Sequence, residues 1–319
     1  MSTPTTTKAT HVLEVIVAQS AGTCFGVEDA IELAEEKSRP ILGPLVHNPQ
    51  VVADLADKGI PILDRYADLE KLKASGVNEV VITAHGYPKE LKAELQSRGI
   101  QFYDATCPVL LKWVYRKIEK FEQEGYHIVL IGNPDHAEII ASRSYGKNVS
   151  VAYDAEAIAR LPEWPEPNGP EKVVAICQTT ITRDKFQTLV DLLRTTRYPK
   201  LKAVDTRCKP VKNQQAAVES LAQWVDAMVI LGGFNSSNTT NLERISRKFL
   251  PATTYHIDRP ESIQVEWLDG IAALGIGAGT STPKSSIDAL LRQIQSIYPG
   301  RCQVRRDAES IDVREIELP

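Results

Sequence analysis

Short apolar runs rich in valine and isoleucine alternate along most of this chain with segments whose apolar residues recur at helical spacing. Such alternation is typical of α/β units, in which a helix connects parallel strands. Six runs are predicted to be buried strands: Val12–Ala18, Val80–Thr83, His127–Ile131, Val173–Cys177, Ala227–Leu231 and Ile271–Ile276. A first helix is predicted around Val27–Ala34, and later helices at Lys89–Ser97, Val109–Glu124, Arg183–Arg194, Val211–Ala222, Asn241–Phe249 and Ser285–Ile297.

Two copies of an Asp-x-x-Cys motif indicate that this alternation is organised as a repeat. The motifs Asp104–Cys107 and Asp205–Cys208 lie 101 residues apart, and each precedes a predicted helix and a strand that ends in glycine. Polar clusters follow at corresponding places, and Cys24 opens an earlier stretch with the same order. We therefore predict three related α/β units in a pseudo-threefold arrangement. Their predicted ranges are residues 12–107, 108–205 and 206–300, followed by a C-terminal tail over residues 301–319.

Charge and hydropathy exclude several classes of partner. The 319 residues carry a formal net charge of −4, which leaves no basic excess for nucleic acid. No apolar run approaches the ~20 residues that a membrane helix needs. Met1–Thr10 is rich in threonine and lacks the apolar core of a signal peptide. We expect a cytoplasmic protein with a frayed N-terminal tail.

The chain has five cysteines, none of them in a CxxC pair: Cys24, Cys107, Cys177, Cys208 and Cys302. An odd, scattered set is a poor disulfide framework, and all five could be small buried apolar residues. Only Cys24, Cys107 and Cys208 belong to the repeat, which would bring them to one central point. Three thiolates suit a [4Fe–4S] cluster with one iron left open. Zinc held by Cys₃ or Cys₃His is the alternative, although structural zinc sites normally use closely spaced ligand pairs.

Polar residues are expected at the carboxyl ends of the predicted strands, where ligands of α/β sheets bind and helix N-termini favour phosphate. These candidates are His47, His85, His136, Thr179, Ser236, Ser237, Asn238 and Ser281. Glu138 could carry protons beside a cluster, but acidic residues are also common at helix N-termini. Thr179 and Ser236 could simply cap helices, and the histidines could be ordinary turn residues.

Taken together, these motifs resemble the hydroxymethylbutenyl diphosphate reductase (LytB) family, the last enzymes of the non-mevalonate isoprenoid route. They occur in the family's order and cover roughly residues 12–300. The matching stretches are Ala21–Val27, Gly43–Pro49, Ala84–Gly86, Asp104–Pro108, Gln178–Thr180, Asn235–Asn238 and Ala278–Pro283.

The resemblance implies three α/β units around one [4Fe–4S] cluster and two-electron removal of a hydroxyl group from an allylic diphosphate. It assigns the cluster to the three repeat cysteines, proton delivery to Glu138 and the substrate hydroxyl to Thr179. The diphosphate contacts that it implies are His47, His85, His136, Ser236, Asn238 and Ser281, with Ser237 nearby. Reduced ferredoxin or flavodoxin is the implied electron donor.

The chain departs from the family pattern at three places: Ala137, Lys209–Val211 and Phe234. The family usually has proline, an Ala-Thr stretch and a basic residue there. These changes leave room for a diverged paralogue or for a non-enzymatic iron–sulfur protein of the same fold. Quinolinate synthase and the diphthamide-forming radical enzyme share the layout of three domains and three cysteines, but the His-Asn, Ala-His-Gly and Ser-Ser-Asn motifs favour the reductase.

Overall fold

Three β-sheets, each with only parallel strand pairs, organise residues 12–162 and 172–306, which the computed structural model describes. This confirms the predicted α/β class, and the three parallel sheets are consistent with the three predicted α/β units. The strands, β1 to β13, are Leu13–Val17, Ile41–Leu42, Ile62–Leu63, Glu79–Ile82, Gln101–Asp104, His127–Ile131, Val149–Ala152, Val173–Cys177, Lys202–Val204, Ala227–Leu231, Thr254–Ile257, Ala273–Ala278 and Cys302–Arg306. The helices, α1 to α11, are Phe25–Lys37, Pro49–Asp57, Leu69–Ala74, Lys89–Ser97, Leu111–Gln123, Ala137–Arg143, Ala155–Ala159, Arg183–Thr196, Lys209–Leu221, Ser237–Arg247 and Lys284–Ile297.

The unit formed by residues 24–211 contains two four-stranded sheets. One has the strand order β3-β2-β4-β5, and the other has the order β7-β6-β8-β9. Every residue of the central strands β6 and β8 is buried, which explains why both are almost continuously apolar in sequence. Because these two sheets lie in one compact unit, the predicted boundary between separate first and second units stays a prediction.

The second unit contains residues 12–23 and 212–306 and has a single sheet with the order β11-β10-β12-β1-β13. The predicted first unit began at residue 12, but strand β1 pairs with β12 and β13 and does not join the sheet of residues 41–104. Leu13 and Val15 pack in one apolar cluster with Leu274 and Leu290. An apolar strand does not specify its neighbours in sequence, so this pairing was not predictable from local pattern.

The predicted C-terminal tail was wrong for residues 302–306, which form the edge strand β13. Most of its side chains are exposed, and Arg305 forms an ion pair with Glu14 of β1. Solvent-facing charged residues are common on edge strands, so the segment has the composition of a surface tail. The remaining predicted tail, residues 307–319, and the N-terminal tail, Met1–Thr10, lie outside the described residues.

All six predicted strands and the seven predicted helices are present, with ends that shift by a few residues. The strands that were not predicted are short, and several lie at sheet edges, where burial leaves a weak pattern. None of the helices in the described ranges is long and apolar enough to cross a membrane.

Candidate functional site

Polar motifs follow the carboxyl ends of neighbouring parallel strands in the unit of residues 24–211. In the first of its sheets, His85 follows β4 and Cys107 follows β5. In the second, Thr179 follows β8 and Cys208 follows β9. Parallel strands end at the same edge, so each sheet places a polar side chain beside a thiol.

The two Asp-x-x-Cys motifs form the same turn. The Oδ1 atom of Asp104 accepts a hydrogen bond from the backbone N–H of Thr106 at 3.0 Å. The Oδ1 atom of Asp205 accepts one from the backbone N–H of Arg207 at 2.9 Å. Each aspartate thus folds the backbone ahead of its cysteine, as is usual for this residue type in turns.

Both cysteines are also anchored to the polar motif that precedes them. The backbone N–H of Cys107 donates to the carbonyl of Ala84 at 3.3 Å, and that of Cys208 donates to the carbonyl of Thr179 at 2.9 Å. The repeat suspected from sequence therefore has an equivalent backbone geometry in the two sheets.

Cys24, Cys107 and Cys208 are half-buried and close enough to influence one another electrostatically. Cys24 caps the N-terminus of α1 without a side-chain hydrogen bond, and Gly26 packs against the sulfur of Cys107. Burial raises the pKa of Cys24, and it raises that of Cys208 to about 12, with the charges of the other two cysteines acting in the same direction. A group that binds thiolates and supplies positive charge would offset both effects.

The other two cysteines lie elsewhere. Cys177 is the last residue of β8 and is buried, which raises its pKa to about 12, and Thr206 lies against its sulfur. Cys302 begins the edge strand β13. Within residues 12–162 and 172–306, no three His, Cys, Asp or Glu side chains are placed to hold a single metal ion together.

Three imidazoles form a cluster in the same unit. The ring centroids of His47 and His85 lie 4.0 Å apart, and His136 lies 5.2 Å from His47 and 5.8 Å from His85. Burial lowers the pKa of His47 to about 4 and that of His136 to about 3, and it lowers that of His85 well below its usual value. The three rings are therefore neutral at neutral pH.

Local structure places His47 in the chain and orients the ring of His136. Asn48 caps α2 by accepting hydrogen bonds from the backbone N–H groups of Gln50 and Val51, at 2.9 and 3.3 Å, so His47 stands immediately before the helix. His136 caps α6, with its Nδ1 accepting from the backbone N–H of Glu138 at 3.2 Å. An accepting Nδ1 in a neutral ring leaves the proton on Nε2, so His136 can donate only from Nε2.

Glu138 is a buried carboxyl group rather than a surface acid of a helix terminus. Its Oε1 accepts from the backbone N–H of Thr179 at 2.7 Å, and its Oε2 accepts from the Thr179 hydroxyl at 2.8 Å. Burial raises the pKa of Glu138 to about 7, although both bonds from Thr179 act to lower it. Thr182, and not Thr179, caps α8, so the alternative of Thr179 as a helix cap was wrong.

In the other unit, two polar motifs share one edge of the five-stranded sheet. The last residue of β10 pairs with the last residue of β12, and Ser236 and Ser281 follow these strands. Ser236 caps α10 by accepting from the backbone N–H of Thr239 at 3.3 Å, so its capping role is present. Ser237 is half-buried, and the Oδ1 atom of Asn238 is buried without a hydrogen-bond partner in the described part of the chain.

Two residues that the motifs did not reveal support the candidate site residues. Gln214 accepts a hydrogen bond from the side-chain amide of Asn238 at 2.7 Å. Arg65 donates to the turn that carries His85. Neither residue belongs to a recurring pattern, and no signal in the sequence separates them from the other arginines and glutamines of the chain.

The departures from the family pattern lie in ordinary local structure. Lys209–Val211 form the first turn of α9, and Ala137 is the first residue of α6. Phe234 is exposed and packs its ring against that of His256, at 4.6 Å between centroids.

Comparisons with known proteins agree with the motif resemblance. A family model described as LytB protein matches residues 15–295. The 4-hydroxy-3-methylbut-2-enyl diphosphate reductase of Caldanaerobacter subterraneus subsp. tengcongensis is 33% identical over 293 residues, which are 89% of this chain and 98% of that relative.

Two solved structures share the fold. A structure of (E)-4-hydroxy-3-methyl-but-2-enyl diphosphate reductase, described as the terminal enzyme of the non-mevalonate pathway, is 33% identical, with a TM-score of 0.61 over 89% of this chain and 99% of that one. The Plasmodium falciparum reductase has 21% identity and a TM-score of 0.82 over 97% of this chain and 96% of that one, and this likeness concerns the fold alone.

Proposed function

Because the chain belongs to the LytB protein family, we propose that it is a 4-hydroxy-3-methylbut-2-enyl diphosphate reductase, an oxidoreductase of the non-mevalonate isoprenoid pathway. It removes the substrate hydroxyl group by reduction and yields isopentenyl and dimethylallyl diphosphate. The observation that carries the proposal is the set of buried carboxyl, neutral imidazole and thiol groups at the strand ends of one unit. The comparisons give no support to a diverged paralogue or a non-enzymatic protein.

Cys24, Cys107 and Cys208 are the proposed ligands of one [4Fe–4S] cluster. Their mutual electrostatic influence and half-burial support this role, since cluster thiolates bind separate irons while a mononuclear zinc site needs all its ligands about 2 Å from one ion. When bound, the cluster would supply electrons and a Lewis-acidic iron for the hydroxyl group. Reduced ferredoxin or flavodoxin is the proposed source of the electrons.

Glu138 is the proposed proton donor. Reduction of the carbon–oxygen bond consumes two electrons and two protons. One proton leaves with the hydroxyl group as water, and the other goes to the allylic carbon. A carboxyl group with a pKa of about 7 still carries its proton in a large fraction of molecules at neutral pH. Thr179 orients this carboxyl through both of its oxygens and is the proposed contact of the substrate hydroxyl.

The three histidines are the proposed diphosphate contacts of this unit. His136 offers an Nε2–H donor, and the Nδ1 of His85 is buried without a hydrogen-bond partner among the described residues. Hydrogen bonds to charged oxygens are the strong class, which suits a compact diphosphate. Ser236, Ser237, Asn238 and Ser281 join the proposal through the motif resemblance. We expect the enzyme to act in the cytoplasm, without nucleic acid or a membrane as partner.

The proposal is tested with protein purified without oxygen, reduced by ferredoxin and supplied with 4-hydroxy-3-methylbut-2-enyl diphosphate. We expect a brown protein with broad absorption near ~400 nm and conversion to the two isoprenoid diphosphates. Cluster-loaded, reducible protein that leaves the substrate unchanged would refute the assignment. A colourless protein that contains zinc would instead support the zinc alternative.

A further inference from the structure

We propose that Arg65 is a positioning residue that supplies the fixed positive charge of the diphosphate site and holds the turn that presents His85. This inference rests on the proposed function. Arg65 follows β3 by two residues and belongs to none of the motifs that suggested the site. Its role comes from contacts with segments about 20 residues away in sequence.

The guanidinium group of Arg65 donates hydrogen bonds to residues on both sides of His85. Its Nη2 donates to the hydroxyl of Thr83 at 2.9 Å, and its Nη1 donates to the carbonyl of Gly86 at 3.0 Å. The phenol of Tyr87 returns a hydrogen bond to the Arg65 carbonyl at 2.8 Å. Both ends of this turn are therefore bonded to the same arginine. Thr83 and Tyr87 are also buried.

Arg65 also packs against the loop that leads to His47. A β-carbon built on Gly43 would lie 3.0 Å from the β-carbon of Arg65, closer than nearly all such contacts allow. Gly43 has a φ of +88°, so a larger residue would be strained there as well. The loops of His47 and His85 therefore both rest on Arg65.

The charge of Arg65 is not balanced by a carboxylate. Across residues 12–162 and 172–306, no ion pair involves Arg65, and its two hydrogen-bond acceptors are neutral. Burial lowers the pKa of Arg65, and the groups that act to raise it are the phenols of Tyr66, Tyr87 and Tyr115. Burial raises the pKa of Tyr87 to about 12 and that of Tyr115 well above its usual value, so neither of these two supplies a negative charge at neutral pH. A guanidinium group keeps its charge in proteins, and a partly buried cation without a counter-charge is costly. An anionic ligand would offset that cost.

Arg65 is the group beside the three histidines that stays charged at neutral pH. The three rings are neutral at neutral pH, and the charge of Arg65 is among the causes that lower the pKa of each. Burial is the main cause of these low pKa values, and the charge of Arg65 acts with it to keep the rings neutral before a diphosphate arrives. The arriving negative charge then interacts with Arg65 across a site of reduced polarity, where electrostatic interactions are stronger than in water.

The test compares Arg65→Gln, Arg65→Lys and the matched control Arg98→Gln in cluster-loaded protein, with inorganic diphosphate as the probe. Arg98 is a suitable control because it pairs with Glu70 and Glu94 on the surface. Isothermal titration at two salt concentrations should show about a tenfold or larger increase in Kd for Arg65→Gln, with a weaker salt dependence. Arg65→Lys should recover most of the affinity, and Arg98→Gln should match the wild type.

A pH profile of binding separates charge from simple support of the turn. Loss of the Arg65 charge should raise the pKa of the histidines, so the diphosphate affinity of Arg65→Gln should begin to rise at a higher pH on acidification than that of the wild type. Equal losses in Arg65→Lys and Arg65→Gln with an unshifted profile would overturn the charge role. Unchanged affinity in Arg65→Gln would overturn the whole inference. Wild-type protein that does not bind diphosphate would refute the proposed function as well.

Discussion

A β-carbon built on Gly26 would lie 2.9 Å from the sulfur of Cys107, although the two residues are far apart in sequence. Gly26 lies in the first turn of α1, where alanine would ordinarily favour the helix by about 1 kcal/mol. Helix propensity alone would favour alanine at this position, but a methyl group there would collide with the sulfur. The absence of a side chain at Gly26 leaves the space that the Cys107 thiol occupies.

We expect Gly26→Ala to lower the iron content of the purified protein, because the new methyl group must displace the Cys107 sulfur. Iron and sulfide analysis of anaerobically prepared protein measures this effect. Asp29→Ala, on the exposed face of the same helix, should leave the iron content unchanged. Full iron content in Gly26→Ala would show that the sulfur has room to move.

Serine replacements should divide the five cysteines into two groups. Loss of the thiol at Cys24, Cys107 or Cys208 should remove the cluster and the activity, because three thiolates are proposed to hold it. Cys177→Ser and Cys302→Ser should keep both, since Cys177 is buried at the end of β8 and Cys302 begins an edge strand. The ~400 nm absorption of each variant decides the matter, and an intact spectrum for Cys208→Ser would contradict the ligand assignment.

Glu138→Gln should turn over at least ~100-fold more slowly, which is the usual scale for loss of an acid–base group. It should still bind the substrate and the cluster. In the wild type, the rate should fall as the pH rises through about 7, because the buried carboxyl loses its proton there. Steady-state rates between pH 6 and 9 test both statements. Asp135→Asn, an exposed acid three residues away, is the matched control, and a near-normal rate in Glu138→Gln would exclude the proton role.

The same carboxyl group should make stability depend on pH. Burial raises the pKa of Glu138 from its usual 4.5 to about 7, so the folded protein binds this proton more tightly than the unfolded chain does. Its contribution to the free energy of unfolding is fully present below pH 4.5 and is lost as the pH rises to about 7. Urea unfolding at pH 5.5 and 8 should show a larger loss of stability for the wild type than for Glu138→Gln; equal losses would contradict the burial effect.

Gln214→Leu should destabilise the protein by about 2–4 kcal/mol, because it leaves buried partners unsatisfied. The Gln214 side-chain nitrogen donates to the carbonyls of Ser20 and Gly22, at 2.7 and 2.8 Å, so its oxygen must face the amide of Asn238. We measure the free energy of unfolding by urea titration. Gln223→Leu, in an exposed position, should cost less than 0.5 kcal/mol. A similar small loss in Gln214→Leu would mean that water replaces these bonds.

Hydrophobic periodicity determined the α/β class and most of the secondary structure. The buried strands β6, β8 and β10 are almost continuously apolar, and their predicted ends agree with the structure. A fully buried parallel strand is apolar along nearly its whole length, so its pattern is local. The thiols and polar residues of the candidate site were also visible in sequence, because they recur at strand ends in the same order.

Tertiary structure alone decided which distant segments meet. Several contacts join segments that are far apart in the chain. They are the pairing of β1 with its neighbours, including the edge strand β13, the hydrogen bonds of Arg65 to the His85 turn, and the bonds of Gln214 to Ser20 and Gly22. A single arginine or glutamine has no periodicity, and a strand carries no mark of its partner. Only the burial of the whole chain brings these groups within hydrogen-bonding distance, which is why their roles were not visible in the sequence.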